Sequence, residues 1–361
     1  MIKTKVAIVG AGIAGLSLAM ELEQREISYA LFESSDSPGG LCKSWPDIDG
    51  VWHDYGPHIF HNKAGFDWFL DLLPNAKLLP RNDDVVLADE GVVLYPVQTA
   101  CQDLIKPNSD LLIRNYKDYC NHHFGEELSR LFFMPWNYKV FHQEIVYIDV
   151  SVTGRTPAVG QPPGTYLYPA NGKFSTLPEA MTRRLGSIHY CAPVTALDAE
   201  RHYIMSTVPC QYDVLIWCAP LRQLLCLQHM KKSIFFQGVD LRLITSHAAH
   251  CGGNLPGLAR YYANQTPWHR VSYEGILKNA DSPYLQFELN ADWDYNLTGI
   301  NEFIIPDAYI VPTVAWIQEQ TGIAIQFADS DIILHGRAGT GLHKNVWPII
   351  QESDELARKL H

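Results

Sequence analysis

The chain has 361 residues, 47% of them hydrophobic, with a formal net charge of −11. That acidity argues against nucleic acid and anionic membrane surfaces as general partners. No apolar run approaches the roughly 18 residues of a membrane helix, so no span is predicted.

Val6-Ala7-Ile8-Val9 reads as a buried strand, and Gly10, Gly12 and Gly15 follow it in G-x-G-x-x-G spacing. Leu16 to Leu22 continues at helical period. Strand, glycine turn and helix are the context in which that spacing binds a dinucleotide. Gly10 permits the tight turn, Gly12 lets a pyrophosphate approach the backbone, and Gly15 lets helix and strand pack closely. Ile13 and Ala14 open the helix, whose free N–H groups face the phosphates. Tyr29 to Phe32 reads as a second strand, and Glu33 ends it in position to accept two ribose hydroxyls. Ser34 and Ser35 follow, with no arginine to hold a 2′-phosphate, which argues against NADP. Gly39, Gly40 and Leu41 add a second glycine turn, the arrangement that carries an FAD enzyme's chain past the pyrophosphate toward the flavin.

Residues 66–79 are predicted to form an amphipathic helix, and Val85–Leu87 with Val92–Tyr95 a hairpin. Residues 99–147 read as largely helical, with Tyr116, Tyr119, Cys120, Phe124, Leu128, Leu131 and Phe132 forming a core stripe. Gly154 to Gly164 must be a loop. A helix is expected at about 175–185, short strands near Ile188 and Val194, and a buried strand over Tyr212–Pro220. Strand-like alternation runs from Phe235 to about residue 290, residues 308–320 look helical, and Ile332–Arg337 reads as a last strand and glycine turn. Eight cysteines without a C-x-x-C pair read as reduced thiols. His122-His123 and His247/His250 lack a ligand spacing, so no metal is expected.

The predicted fold class is α/β. Residues 1–65, 166–225 and 325–361 are expected to assemble one Rossmann-like FAD-binding domain from discontinuous segments. Residues 66–165 would be a mainly helical insertion and 226–324 a β-rich substrate-binding region. The chain enters a strand almost at once, leaving no room for a signal peptide, so a cytoplasmic location is expected.

Asp54-Tyr55-Gly56-Pro57-His58-Ile59-Phe60-His61 resembles the Gly-Pro-His-Ile-Phe-His loop of UDP-galactopyranose mutases. Those enzymes share an FAD superfamily with amine oxidases and protoporphyrinogen oxidases. Further segments resemble them in order: Tyr95-Pro96, Pro135-Trp136-Asn137, Tyr168 to Gly172, Pro267-Trp268-His269-Arg270 and Gly336-Arg337-Ala338-Gly339. The resemblance implies FAD as cofactor, with Gly56, Pro57, His58, Ile59, Val194, Gly336, Arg337, Asn345 and Val346 among its contacts. It implies Arg155, Tyr168 and Arg270 at the substrate, Arg270 and Arg155 standing for two arginines that hold a nucleotide diphosphate.

The chain departs from the family after Gly339, where Gly341 and His343 stand in place of tyrosines and Asn345 in place of an acid. His58, Arg270 and His343 are therefore the expected catalytic set, with His58 or His343 as base because imidazole titrates near neutral pH. The expected function is an FAD-dependent oxidoreductase moving a hydride from a small polar substrate (a sugar, nucleotide sugar or amine) to flavin N5. The alternatives are a non-redox mutase that uses reduced FAD on a nucleotide sugar, and a flavin-binding protein without catalysis. A small-molecule substrate is the expected partner, and a homodimer is compatible with the sequence.

Overall fold

The computed structural model describes residues 1–56, 58–155, 159–160, 164–230, 235–253, 255, 257–273 and 282–361, with residues 154–155 described by their backbone only. Ile2–Val9 is a central strand, and its last four residues are a continuous buried run, as a parallel strand covered on both faces requires. It pairs in parallel with Tyr29–Phe32 on one side and with Cys210–Trp217 on the other, Ile8 facing Leu31 and Ile216. Ile188–His189 lies beyond Tyr29–Phe32, and Ile332–Leu334 beyond Cys210–Trp217, both parallel. Antiparallel Ala196–Asp198 and Tyr203–Met205 complete seven strands. The α/β class and its assembly from distant segments are thus as expected. The chain leaves the first strand toward one neighbour and later supplies the other, so a crevice opens at the strands' carboxyl ends, beside Gly10 and Cys218.

Helix Ile13–Gln24 is apolar on nearly all sides because it is covered twice, by the sheet and by the last helix, Val346–Leu360. A buried polar thread crosses that contact. Ser17 Oγ lies 2.7 Å from Ser353 Oγ, and His335 Nε2 2.8 Å from the same hydroxyl.

The second sheet runs in the order Asn301–Ile310, Gly238–His247, Tyr284–Asn290, Arg270–Ser272, Ala259–Tyr262, Asp84–Val86 and Val92–Leu94. The predicted hairpin forms, and it extends this sheet: Arg260 grips Asp84 through Nε and Nη2 at 2.7 and 2.8 Å. Ile244, Val271, Leu285, Phe287 and Leu289 fill one face. The opposite face carries Tyr261, Arg270, Glu288, Thr245 and Gln286 by strand alternation. It meets the nucleotide half at Trp45, Tyr55 and Phe303.

Two helices differ from expectation. Pro74 ends the first at Phe66–Leu72, and Lys77–Pro80 then pairs as a strand with Thr165–Tyr168. Residues up to Ile310 remain in the sheet, and the next helix begins at Val314, where the Thr313 side chain accepts from Trp316 N. Tyr116, Cys120, Phe124, Leu128 and Phe132 pack in one core, as the stripe predicts. All eight cysteines are free. Among the described residues no helix is long and apolar enough to cross a membrane.

Candidate functional site

The first glycine turn is shaped as a cradle. Gly10 has φ +102°, in the left-handed region. A Cβ on Gly15 would stand 2.0 Å from Gly10 O, so only glycine lets the helix begin this close to the strand. A Cβ on Gly12 would meet nothing within 4 Å, so open space faces this residue at the helix N-terminus. The second glycine turn closes on the first: Gly39 N donates to Ala11 O at 2.8 Å, and Gly40 sits against Gly12. Glu33 stands at the rim, where its carboxylate accepts from Ala11 N at 2.8 Å and from Ser35 N and Oγ at 2.9 and 2.8 Å. Ser34 Oγ donates to the same carboxylate at 3.3 Å. Ile13 and Ala14 are buried at the start of the helix, and Val194 is buried in the core on the other side of the sheet. The Gly336 turn presses on the same helix, a Cβ there falling 2.3 Å from Ala14 Cβ. These donors, the empty space at Gly12 and the rim carboxylate fit a dinucleotide pyrophosphate and ribose.

Asp54 anchors the loop that follows. Fully buried, it accepts from Ser44 Oγ, from Phe174 N at 3.0 Å and from the Tyr168 hydroxyl. Tyr168, expected at the substrate, is instead fully buried with its hydroxyl spent on Asp54, so it supports the loop from beneath. Pro57 lies outside the described residues. His58 Nε2 is 2.7 Å from Leu41 O, which places the imidazole over the second glycine turn. A carbonyl can only accept, so Nε2 carries the proton and Nδ1 holds the lone pair. Burial, with the charges of Arg270 and Arg337, pushes the His58 pKa down to about 4 against the opposing Leu41 bond. His58 therefore titrates well below neutrality, unlike the ordinary imidazole that the sequence suggests, and stands as a neutral acceptor at pH 7. Ile59 packs into the nucleotide-half core, and His61 is exposed.

Across from this loop stands Arg270. A Cβ on Gly56 would lie 3.2 Å from Arg270 Nη2 and 3.1 Å from Glu288 Oε2, so loop and sheet touch here. Arg270 binds Glu288 through Nε at 3.0 Å and Nη2 at 2.6 and 2.8 Å. His269 Nε2 and the Tyr309 hydroxyl also donate to Glu288, at 2.8 and 2.7 Å. Burial alone would raise the Glu288 pKa; Arg270 and then His269 overcome it and hold the carboxyl below its ordinary range. Aromatic rings extend the row. Arg81 lies 4.0 Å from the Tyr95 ring centroid and donates to the Tyr261 hydroxyl, and Arg337 lies 5.3 Å from the Tyr309 ring.

The structure thus brings His58, Arg270 and Arg337 together. His343 is half-buried in the stretch between helix Gly336–Thr340, which carries Arg337, and the last helix. Asn345 holds the cap position of that helix without a side-chain cap bond, and Val346 begins it. The Arg155 side chain lies outside the described residues. The sequence motifs pass over Glu288, Tyr309 and Arg81, and they include His269 without giving it a role. The polar–apolar alternation Gln286-Phe287-Glu288-Leu289-Asn290 is the available signal, since it puts a carboxylate on one sheet face.

A family described as an NAD(P)-binding Rossmann-like domain matches residues 8–73. A solved structure of reduced UDP-galactopyranose mutase superposes with a TM-score of 0.81, covering 99% of this chain and 95% of that one at 19% identity. The fold is that of UDP-galactopyranose mutase. The mutase fold extends to a putative protoporphyrinogen oxidase from Exiguobacterium sp. 255-15 (TM-score 0.73, 13% identity, 99% and 98% covered). It extends also to a putrescine oxidase (TM-score 0.65, 12% identity, 99% of each chain).

By sequence, dTDP-fucopyranose mutase of Escherichia coli is 29% identical over 174 residues, 42% of this chain and 46% of that protein. A probable UDP-galactopyranose mutase of Klebsiella pneumoniae is 24% identical over 203 residues, 51% of this chain and 52% of that protein. A 15-cis-phytoene desaturase of Narcissus pseudonarcissus is 46% identical over 56 residues, 16% of this chain. The chain spans about half the length of the mutases and 10% of the desaturase.

Proposed function

We propose that the protein is an FAD-dependent oxidoreductase acting on a small polar substrate. The observation that carries this reading is the juxtaposition of the open glycine cradle with the neutral His58 imidazole, joined through the Leu41 carbonyl. Gly12, Gly39 and Gly40 would hold the pyrophosphate, and Glu33 the adenosine ribose, by exchanging part of its present hydrogen bonding for the two hydroxyls. FAD held there would supply a two-electron acceptor for a hydride leaving the substrate carbon. His58 Nδ1 receives the proton lost from the substrate's hydroxyl or amine. The low pKa keeps that nitrogen unprotonated throughout the neutral range but makes it a weak base, so it takes the proton as the hydride leaves rather than beforehand. Arg337, 5.3 Å from Tyr309, and the Arg270 group close the opposite wall.

The purified protein is expected to carry the yellow flavin spectrum. Anaerobic addition of the right alcohol, sugar or amine should bleach it. If a broad panel leaves the oxidised bands intact, the oxidoreductase reading fails.

A second reading is a non-redox mutase that works with reduced FAD on a nucleotide sugar. The full-length likeness to UDP-galactopyranose mutase favours it. It requires pre-reduced protein to interconvert sugar ring forms without consuming reductant.

A further inference from the structure

An arginine beside a substrate loop is ordinarily an anion receptor, because its Nε–Nη edge matches two oxygens of a phosphate or carboxylate. In this protein that edge of Arg270 is already filled. Glu288 presents both carboxylate oxygens to Nη2 and one to Nε, all within 3.0 Å. The carboxylate is 2% exposed and is held from two further sides, by His269 and Tyr309. It therefore has four donor groups and no freedom to swing away without stranding them. Gly56, in the His58 loop, packs on the pair itself.

The neighbouring row of the same sheet face points the same way. Gln286 lies two residues from Glu288, and Thr245 is its cross-strand partner. Both are fully buried, and among the described residues neither the Gln286 amide nor the Thr245 hydroxyl has a hydrogen-bond partner. Unspent hydrogen bonding on this face is neutral, while its charge is cancelled internally.

We propose that Glu288 is a specificity residue: a built-in anion that occupies the Arg270 fork and selects for substrates with no phosphate or carboxylate at this wall. The inference rests on the flavoenzyme reading only in taking this wall for the substrate's side of the site. The substrate class it names is an uncharged, hydrogen-bonding molecule, which sets the site against a nucleotide diphosphate.

The test titrates flavin-saturated protein calorimetrically with inorganic pyrophosphate and with UDP. Saturation matters because it fills the glycine cradle, which would itself bind pyrophosphate. Wild-type protein is expected to bind neither. Glu288→Gln should bind pyrophosphate at least about tenfold more tightly than wild type, because the uncharged amide no longer cancels the guanidinium charge and is more easily displaced from it. The double variant Arg270→Met/Glu288→Met removes the pair together, a change folds tolerate better than stranding one charge. It should bind neither probe.

Wild-type binding of either probe that the double variant abolishes would overturn the proposal, since the ligand would then be displacing Glu288. So would a folded Glu288→Gln protein whose pyrophosphate affinity matches wild type. If Glu288→Gln does not fold, the comparison of wild type with the double variant still decides. A protein that takes up no flavin is recognised by its colourless spectrum and fails the flavoenzyme reading alone. The Glu288- and Arg270-dependent difference in pyrophosphate binding is then still read against the shared background of the cradle.

Discussion

A methyl group at Gly15 would stand 2.0 Å from a backbone oxygen, whereas the same group at Gly12 would meet nothing within 4 Å. Gly12 also has φ −72° and ψ 179°, values that alanine adopts without strain. The two substitutions should therefore separate folding from cofactor binding. Gly15→Ala forces helix and strand apart and is expected to cost roughly 3 kcal/mol or more, read as a lower midpoint in chemical denaturation. Gly12→Ala should leave the apoprotein's midpoint within about 0.5 kcal/mol of wild type. It should nevertheless lose flavin at least about tenfold more readily, because its methyl fills the cradle. Equal losses in both variants would refute the division of labour between these two residues.

At the scale of elements, helix Met134–Phe141 fixes the turn that leads into Arg270. Lys139 is 5% exposed and its Nζ donates to Tyr262 O and Trp268 O at 3.1 Å and to Thr266 Oγ1 at 3.2 Å. Burial pulls its pKa down to about 7, with Glu90 opposing. An unfolded lysine keeps its proton to about pH 10.4, so above pH 7 the unfolded chain binds more protons than the folded one. Native stability should therefore rise with pH between 7 and 10 from this group, by up to about 1.4 kcal/mol per pH unit. Lys139→Met should flatten that rise and, by stranding two carbonyls, lower the midpoint at pH 9; denaturation at a series of pH values reads both. The nucleotide half was legible in sequence because its signals are local: a glycine spacing, an acid at a strand end, apolar parallel strands. The wall opposite was not. Glu288 meets Arg270 only through the register of two strands 18 residues apart, and a glutamate alternating with apolar residues reads as solvent-facing until a second layer covers it. Tyr168 misled for a related reason: a tyrosine in a conspicuous motif carries no mark of whether its hydroxyl faces ligand or a buried aspartate.

For the whole molecule, acid should be the weak point. Burial, with help from Lys344, holds the His335 pKa down to about 4, and the side chain is 3% exposed. The unfolded chain protonates its histidine near 6.5, so between pH 6.5 and 4 unfolding takes up protons and stability falls as pH drops. This residue alone contributes on the order of 3 kcal/mol to that loss. His335→Gln should remove part of the difference in denaturation midpoint between pH 7 and pH 5; an unchanged difference would clear His335 of the role. The same histidine belongs to the thread from Ser17 through Ser353, and that thread has a consequence for biosynthesis. It joins segments 336 residues apart in the chain. As the nascent chain leaves the ribosome, strand Ile2–Val9 pairs early with Tyr29–Phe32, but its other edge waits roughly 200 residues for Cys210–Trp217. The outer side of helix Ile13–Gln24 waits longer still, for Val346–Leu360. Until those segments emerge, the apolar strand edge and the apolar helix stay bare, the condition under which chaperones are recruited. Closure of the nucleotide fold therefore waits for helix Val346–Leu360 to emerge and cover helix Ile13–Gln24.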